Sequence, residues 1–377
     1  MNMGKMNSWQ RNTLQYIVGL ALACALLTAL AVGQGPGGCS PMSAGTQFAD
    51  VTGSGRADLI TVYKNGISVR PSDGSRFLRP NTWSPRGFFG SDESGTANIY
   101  FADVTGDGRA DAIVSNLNGL DVRVSDGRGF LGNEAWTNGP FFGSLYGRHN
   151  LYFADVTGGR ARRRADAIVV NPDGIVVRRS DGRQFLPNEA WTNEPFYGEL
   201  GTYFADVDGD GRADAIAVNR NGITVRRSDG RRFMGNELWM EGLFQGGRNR
   251  WGDRDRGRDR DRSRDWDRPR GKVLAYYFAD VNGDGKADAI MVTTEGVLVG
   301  LSDGQRFLPP YLWIVGPFYG GVGTYFVDVT GDGMADAVAV NTNRIDVRRS
   351  DGTQFLPNEA WTRGAAYGDI VPLCSIR

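Results

Sequence analysis

One phrase returns six times along this 377-residue chain and limits the folds that the chain can adopt. Its fullest copy runs from Tyr203 to Val218 and reads YFADVDGDGRADAIAV. The first aspartate of the phrase recurs at spacings of 53, 52, 51, 74 and 48 residues, at Asp50, Asp103, Asp155, Asp206, Asp280 and Asp328. The long interval contains a biased segment, and without its roughly 24 residues it falls to about 50. Such a period is typical of a repeat architecture.

One copy, from Gly201 to Gly246, contains four short pieces rich in β-branched and aromatic residues. These pieces are Tyr203–Val207, Ala215–Val218, Ile223–Arg227 and Phe233–Trp239. Two of the breaks between them are Asn-Gly and Asp-Gly, which are strong hairpin signals. Four antiparallel strands in about 50 residues cannot bury both faces alone, so the copies must stack as propeller blades. The sequence therefore predicts an all-β fold, a single β-propeller of about six blades over residues 46–370, with a seventh blade left open.

The loop between the first and second strand of each copy has the composition of a calcium site. We number its residues one to nine from the lead aspartate. Oxygen-bearing side chains occupy positions one, three, five and nine, and glycine near position six permits a sharp bend. Calcium takes six to eight oxygen ligands, and the backbone carbonyl of position seven, for example Arg212, would join the side chains. Position 12 is Ala217 and strands flank the loop, so an EF-hand is rejected.

The copies differ in the number of carboxylates, and fewer charges predict weaker calcium binding. Four loops supply a good ligand set: Asp103, Thr105, Asp107, Arg109 and Asp111; Asp206, Asp208, Asp210, Arg212 and Asp214; Asp280, Asn282, Asp284, Lys286 and Asp288; and Asp328, Thr330, Asp332, Met334 and Asp336. The first loop is weaker, with Asp50, Thr52, Ser54 and Asp58. The third, from Asp155 to Asp166, carries three extra residues and four arginines and is disrupted. The alternative interpretation is that all six loops are only polar turns.

These motifs resemble the FG-GAP or VCBS repeat. The resemblance rests on three segments: Pro-Phe-Tyr-Gly at 317–320, Tyr-Phe-Val-Asp-Val-Thr-Gly-Asp-Gly at 325–333 and the Ala-Asp-Ala-Val-Ala-Val that follows. That family is similar to the integrin α-chain propeller, and the version with one tryptophan per blade resembles propeller lectins that bind fucose and related sugars. The resemblance implies a calcium-stabilised propeller that binds glycans or protein partners without catalysis, with the four good loops as its calcium sites.

A second element repeats around one tryptophan per copy, most fully as FLPNEAW at residues 185–191. The tryptophans are predicted to fill the core between blades, and the alternative is a ring of sugar platforms. The adjoining polar pairs are the candidate ligand-binding residues: Asn133 with Glu134, Asn188 with Glu189, Asn236 with Glu237, and Asn358 with Glu359. Arginine pairs recur in the third strand, at residues 178–179, 226–227 and 348–349, and structural pairing with aspartates is expected for them.

The segments outside the repeats predict export and one insert. Lys5 and Arg11 precede an apolar run over residues 16–32, which is typical of a signal peptide; an uncleaved membrane anchor is the alternative. Residues 1–33 are thus the signal or anchor, 34–45 a linker, and 371–377 a tail. The insert at 248–271 holds ten arginines and six aspartates over 248–270, which predicts a solvated loop. The ring should therefore lie outside the cytoplasm, either secreted or at a cell surface or facing the periplasm.

The few cysteines and the single histidine limit which disulfides and catalytic sites the chain can form. Cys39 and Cys374 bracket the propeller, so ring closure could bring them together as a disulfide; lipidation of Cys39 is the alternative. His149 is the sole histidine, which excludes a repeated histidine-based triad, while a glycosidase carboxylate pair stays open as the minor alternative to a non-catalytic protein. With 43 basic and 43 acidic residues the chain is neutral, which argues against a nucleic-acid partner. Two function classes follow: a glycan-binding propeller, or a protein-adhesion scaffold.

Overall fold

The computed structural model describes residues 45–91, 97–145, 148–159, 163–242 and 271–364, which form six four-stranded antiparallel sheets. Each sheet is one blade, and its strands follow chain order from the inner first strand to the outer fourth strand. The blades are β1 (Thr46–Ala49), β2 (Asp58–Tyr63), β3 (Gly66–Arg70) and β4 (Asn81–Ser84); β7 (Tyr100–Ala102), β8 (Asp111–Asn116), β9 (Gly119–Arg123) and β10 (Glu134–Ala135); β13 (Leu151–Ala154), β14 (Asp166–Asn171), β15 (Gly174–Arg178) and β16 (Glu189–Ala190); β17 (Gly201–Ala205), β18 (Asp214–Asn219), β19 (Gly222–Arg226) and β20 (Glu237–Glu241); β21 (Val273–Ala279), β22 (Asp288–Thr293), β23 (Gly296–Gly300) and β24 (Tyr311–Val315); and β25 (Gly323–Val327), β26 (Asp336–Val340), β27 (Arg344–Arg348) and β28 (Glu359–Arg363). Two small hairpins lie between blades, β5 (Gly90–Ser91) with β6 (Ala97–Asn98) and β11 (Ser144–Leu145) with β12 (Arg148–His149). The predicted all-β propeller is confirmed, with six blades.

The strand boundaries differ from the prediction mainly at the fourth strand. In the fourth copy the outer strand starts at Glu237, whereas the sequence predicted a start at Phe233. Phe233 makes only an isolated antiparallel bridge with Ser228, and its buried ring packs against Trp191 of the preceding blade. The aromatic residue therefore serves the interface between blades and does not begin the strand.

The tryptophans lie in the core between blades. Their side chains are 2–6% exposed, and each ring meets a phenylalanine of the next blade at 5.2–5.4 Å between centroids, usually edge-on or tilted. The inner-strand aromatics continue this packing, since Tyr152 meets Phe204 at 5.0 Å. The core interpretation of the tryptophans is confirmed, and their use as sugar platforms is excluded by burial.

The ring closes by repeating one set of hydrogen bonds at every interface, including that between the last blade and the first. The Ser125 hydroxyl donates to the Val51 carbonyl at 2.7 Å, and Ala110 N–H donates to the Asp50 carbonyl at 2.7 Å. At the closure, the Ser72 hydroxyl donates to the Val329 carbonyl at 2.5 Å. Because each blade is one contiguous segment, closure among the described residues depends on these bonds and on side-chain packing, with no exchanged strand.

Candidate functional site

The six aspartate loops form a ring on one face of the propeller. In an antiparallel blade, the connections between strands one and two and between strands three and four lie at the same end. The second connection carries a Ser-Asp-Gly turn, which lies beside the loop of the preceding blade; a Cβ added at Gly230 would meet the Thr157 carbonyl at 3.0 Å. The opposite face carries the hairpins between strands two and three and the connectors that lead to the next blade.

The fourth loop gathers three carboxylates around one point. Gly209 and Gly211 have φ of 80° and 86°, the left-handed region that glycine favours, and their N–H groups donate to the Asp206 carboxylate at 2.7 and 2.8 Å. Carboxylate oxygens of Asp206, Asp208 and Asp210 all lie within 4.8 Å of one another. An all-oxygen group of this kind fits a hard cation such as calcium.

The loop's own cations already contact these carboxylates. The Arg212 guanidinium pairs with Asp210, and Arg227 Nη1 lies 3.6 Å from an Asp208 oxygen. The position-seven side chain does the same in two other loops, where Arg109 pairs with Asp107 and Lys286 Nζ lies 2.8 Å from Asp284. The sixth loop has Met334 at this position. Calcium would therefore displace a guanidinium or ammonium from position five in three of the four good loops.

The aspartates at position nine have a structural role that the sequence analysis missed. Asp214 lies outside the group of three carboxylates, is fully buried, and accepts N–H bonds from Val207 at 3.1 Å and Ser228 at 2.8 Å. It thus joins the aspartate loop to the Ser-Asp-Gly turn of its own blade. The same pair of backbone bonds is made by Asp58, Asp111, Asp166, Asp288 and Asp336. The recurring serine 14 residues later was the available sequence signal. Calcium binding by position nine stays a prediction.

Loops two, five and six share the fold of the fourth, with different side chains at position three. The hydroxyls of Thr105 and Thr330 donate to Asp103 and Asp328 at 3.3 and 3.2 Å. The Asn282 amide oxygen accepts from Asp284 N–H at 3.1 Å. In these loops the lead carboxylate again accepts N–H bonds from the glycines at positions four and six. Loops two, five and six therefore keep the lead carboxylate in the arrangement seen in the fourth.

The first loop keeps that arrangement, and the third departs from it. In the first, Gly53 and Gly55 N–H donate to the Asp50 carboxylate at 2.7 Å each, and the Ser54 hydroxyl stands where the fourth loop has the Asp210 carboxylate. In the third, Asp155 Oδ2 is buried and has no hydrogen-bond partner in the part of the chain that the structure describes, which omits residues 160–162. The glycine N–H that meets this oxygen in the other loops is thus missing from the described part of the third.

Protons and calcium are expected to compete for the fourth loop. Burial raises the pKa of Asp206 to about 6, against the lowering effect of the Gly211 N–H bond. This folded-state pKa lies above the ordinary value of 3.8, so the carboxyl is protonated below about pH 6 and must release that proton to bind a cation. We expect calcium affinity to fall about tenfold between pH 7 and pH 5 in a chelator-competition titration. An affinity that is constant across this range would contradict the assignment of the lead aspartates as ligands, because burial also raises the pKa of Asp103, Asp280 and Asp328.

A second repeated site lies between neighbouring blades, and we call it the inter-blade groove. Its base is an arginine at or near the end of a third strand, whose guanidinium lies over a buried phenylalanine of the connector from the preceding blade. The distances from guanidinium carbon to ring centroid are 4.2, 4.4, 4.9 and 5.2 Å for Arg123 over Phe88, Arg178 over Phe141, Arg226 over Phe196 and Arg348 over Phe318. The next connector residue is again aromatic, and Phe89 and Tyr319 are 44% and 48% exposed. Each groove thus combines a cation with an aromatic rim.

Two of the predicted asparagines contact groove arginines, and three of the glutamates bind the arginine that follows in the chain. Glu189 accepts from Arg179 Nη2 at 2.6 Å and from Trp191 Nε1 at 3.3 Å, and Arg178 Nε donates to the Asn188 amide oxygen at 2.5 Å. Glu237 and Glu359 make the same contacts, each with the arginine of its own blade, Arg227 or Arg349, and with the tryptophan two residues later. Asn236 accepts from Arg226 at 2.5 Å, whereas Asn358 donates to Asp346 at 3.0 Å. In blade two, Glu134 accepts from Trp136 at 3.2 Å, and the neighbouring Asn133 is exposed. The arginines at residues 178–179, 226–227 and 349 therefore meet the outer strand of their own blade or the residue before it. The expected pairing with an aspartate is found at Arg227, which also lies 3.6 Å from Asp208. Direct ligand contact by the Asn-Glu pairs stays a prediction.

Several predicted features lie outside the described residues: the signal or anchor at 1–33, the linker at 34–44, Cys39 and Cys374, the tail, and the insert apart from Gly271. Within the described ranges, no helix is long and apolar enough to cross a membrane.

Comparisons with known proteins agree with this architecture. Residues 50–114 and 280–339 match the FG-GAP-like repeat family, so the resemblance is confirmed for two regions of the ring. No curated protein sequence matches the chain. A solved lectin from Agrocybe aegerita, described as recognising non-reducing terminal N-acetylglucosamine, is 24% identical, with a TM-score of 0.56 over 84% of this chain and 80% of its own. This likeness supports the propeller fold.

Two further solved structures have lower scores. The Tc holotoxin pore of Photorhabdus luminescens is 17% identical, with a TM-score of 0.49 over 81% of this chain, which spans only 13% of that chain. An auxiliary nutrient-binding protein from Bacteroides thetaiotaomicron is 9% identical, with a TM-score of 0.39 over 87% of this chain and 72% of its own.

Proposed function

We propose that this protein is a calcium-stabilised, non-catalytic propeller that binds glycans in its inter-blade grooves. The observation that carries the proposal is the fourfold recurrence of an arginine stacked over a connector phenylalanine, at the interfaces of blades one and two, two and three, three and four, and five and six. One recurring chemical arrangement on one rigid ring suits a ligand that presents the same terminal group many times.

The groove chemistry matches what a sugar offers. Aromatic rims such as Phe89 and Tyr319 can pack against the apolar C–H face of a pyranose, while guanidinium N–H groups donate to its hydroxyls. Four weak sites of this kind would act together through multivalency.

The choice of first probe rests on the Agrocybe aegerita lectin, whose ligand is non-reducing terminal N-acetylglucosamine. We propose that this chain recognises a related terminal sugar. The alternative class is a protein-adhesion scaffold that uses one face of the ring. Stoichiometry separates the two, because glycan grooves predict several ligands per ring and a scaffold predicts one partner.

Calcium would stabilise the face opposite the connectors and take no part in ligand chemistry. The side chains that would hold it are Asp206, Asp208 and Asp210 in the fourth loop, and the corresponding residues of loops two, five and six. When bound, the ion neutralises carboxylates that the fold brings together. The predicted export segment at 1–33 would place the ring where free calcium is high enough for weak loops.

Replacing the stacked arginine of one groove is expected to weaken glycan binding without unfolding the ring. Arg178→Met keeps the aliphatic stem over Phe141 but removes the N–H donors, including that to Asn188. We expect its binding to a surface that presents terminal N-acetylglucosamine to fall about tenfold, since losing one of four linked sites reduces avidity. Arg183→Met, an exposed turn residue of the same blade, is the matched control. If the two variants bind alike while both keep the wild-type melting midpoint, the groove is not the sugar site.

A further inference from the structure

The outer strand of blade five departs from the repeat. At the positions that carry Asn-Glu-Ala before the tryptophan in blades two, three and six, β24 and its approach carry Pro310, Tyr311 and Leu312. No charged residue occurs from Phe307 to Val327, whereas the corresponding stretch of every other blade contains charges. Blade five therefore has an uncharged outer edge.

This edge exposes apolar side chains to solvent. Val315 is 84% exposed, Tyr311 47% and Leu312 41%. Leu238, at the position in blade four that corresponds to Leu312, is 63% exposed and extends the apolar character to the neighbouring outer strand. Exposed apolar residues that cluster on one strand, as Tyr311, Leu312 and Val315 do, mark interaction sites in soluble proteins.

The departure weakens the blade's own contacts. Because Tyr311 replaces the usual glutamate, Trp313 Nε1 is buried with no acceptor among the described residues, and a buried unpaired donor is unfavourable. The arginine of the groove is also gone: Gly300 stands in its place, and a Cβ there would meet the Leu308 carbonyl at 2.8 Å and the Met240 methyl at 3.2 Å. Stability of the ring does not explain this set of substitutions.

The backbone of β24 is suited to pairing with another strand. It is five residues long and ends its sheet, so one row of its N–H and C=O groups faces outward with no strand beside it among the described residues. Natural edge strands are protected by shortness or charge. β10 and β16 are two residues long, β20 carries Glu237 and Glu241, and β28 carries Glu359 and Arg363. The four-residue β4 has no charge of its own but is flanked by Arg79-Pro80 and Pro85-Arg86. β24 has neither protection.

We propose that β24 pairs with β24 of a second copy of this chain about a twofold axis. An antiparallel pair of identical strands is self-complementary, so the contact closes as a dimer. An uncharged strand meets no like charge when it faces its own copy. The charged or flanked edges of the other five blades would not match it, which disfavours open-ended assembly. The contact is smaller than the roughly 800 Å² per partner of a standard interface, so we expect micromolar association.

Sedimentation velocity of the full-length chain in a nonionic detergent, from about 1 to about 200 µM, tests this proposal. We expect a concentration-dependent monomer–dimer equilibrium that weakens at least tenfold when Leu312→Lys and Val315→Lys are combined. Both side chains are well exposed, so the variant should fold. Ala190→Lys with Asn193→Lys, at the corresponding exposed positions of blade three, is the matched control and should dimerise like the wild type.

A mixing experiment adds a positive signal. In a pair centred on Trp313, residue 311 of one strand faces residue 315 of the other. Tyr311→Glu and Val315→Lys should each associate more weakly than the wild type alone and should associate when mixed, because the opposite charges then face each other. A wild-type chain that stays monomeric up to about 200 µM would overturn the proposal. So would a dimer that the blade-five substitutions leave unchanged, since it would be held elsewhere, for example through the apolar run at 16–32.

Discussion

Removing calcium is expected to lower the free energy of unfolding of the ring by about 6 kcal/mol. Each site that binds the folded state alone stabilises it by RT ln(1 + [Ca²⁺]/Kd), which is about 1.4 kcal/mol at 1 mM calcium for a Kd near 0.1 mM. The four good loops together therefore contribute about 6 kcal/mol to the free energy of unfolding. The physical source is charge neutralisation: the fourth loop brings three carboxylates within 4.8 Å, and Arg212 and Arg227 contact only two of them, Asp210 and Asp208.

Thermal unfolding of chelator-treated protein, with and without 1 mM calcium, measures this effect. A difference of about 6 kcal/mol corresponds to a midpoint shift of about 10 °C for a ring of this size. Magnesium is the matched control, because it prefers a strict octahedral shell and should raise the midpoint far less. Equal midpoints with calcium, with magnesium and with chelator would mean that the aspartate loops are only polar turns.

Asp214→Ala is expected to destabilise the protein by about 4 kcal/mol even when calcium is absent. The substitution leaves two buried backbone N–H groups, of Val207 and Ser228, without their acceptor, and each unsatisfied buried donor costs about 1–3 kcal/mol. It also disconnects the aspartate loop from the Ser-Asp-Gly turn whose serine bonds the preceding blade at the Val156 carbonyl.

Asp210→Ala is the control that separates this structural role from metal binding. Asp210 is exposed and contacts Arg212, so calcium-free stability should change by less than about 1 kcal/mol. With calcium present, Asp210→Ala should lower the stabilisation by the contribution of one site. Denaturant unfolding of both variants with and without calcium gives all four values. Equal losses for the two variants in chelator would contradict the distinct role of position nine.

Local sequence signals predicted the fold because each blade is one contiguous segment. The Asn-Gly and Asp-Gly turns mark hairpins, and the spacing of the lead aspartates counts the blades. The start of the fourth strand was wrong because Phe233 is held by Trp191 of another blade, a contact that no local pattern encodes. Only packing between copies decides such a boundary.

The candidate site, like the fold, was predicted only in the features that local sequence encodes. Loop spacing located the carboxylates that converge in the fourth loop. It could not separate Asp214, whose oxygens are directed to backbone N–H groups 7 residues before and 14 residues after it. The inter-blade groove could not be predicted from the sequence either, because Arg178 and Phe141 are far apart in the chain and meet only when neighbouring blades pack together. Glu189 looked free in sequence, yet Arg179 and Trp191 both bind it.

The most direct test of the account is a calorimetric titration of the calcium-loaded protein with a short oligosaccharide that ends in N-acetylglucosamine. Four inter-blade grooves carry the stacked arginine and phenylalanine, so we predict a stoichiometry near four ligands per chain. Arg178→Met should reduce that number to about three with no change in the remaining affinity. A stoichiometry of one, or binding that the groove substitution leaves unchanged, would contradict the account and favour a single-partner scaffold.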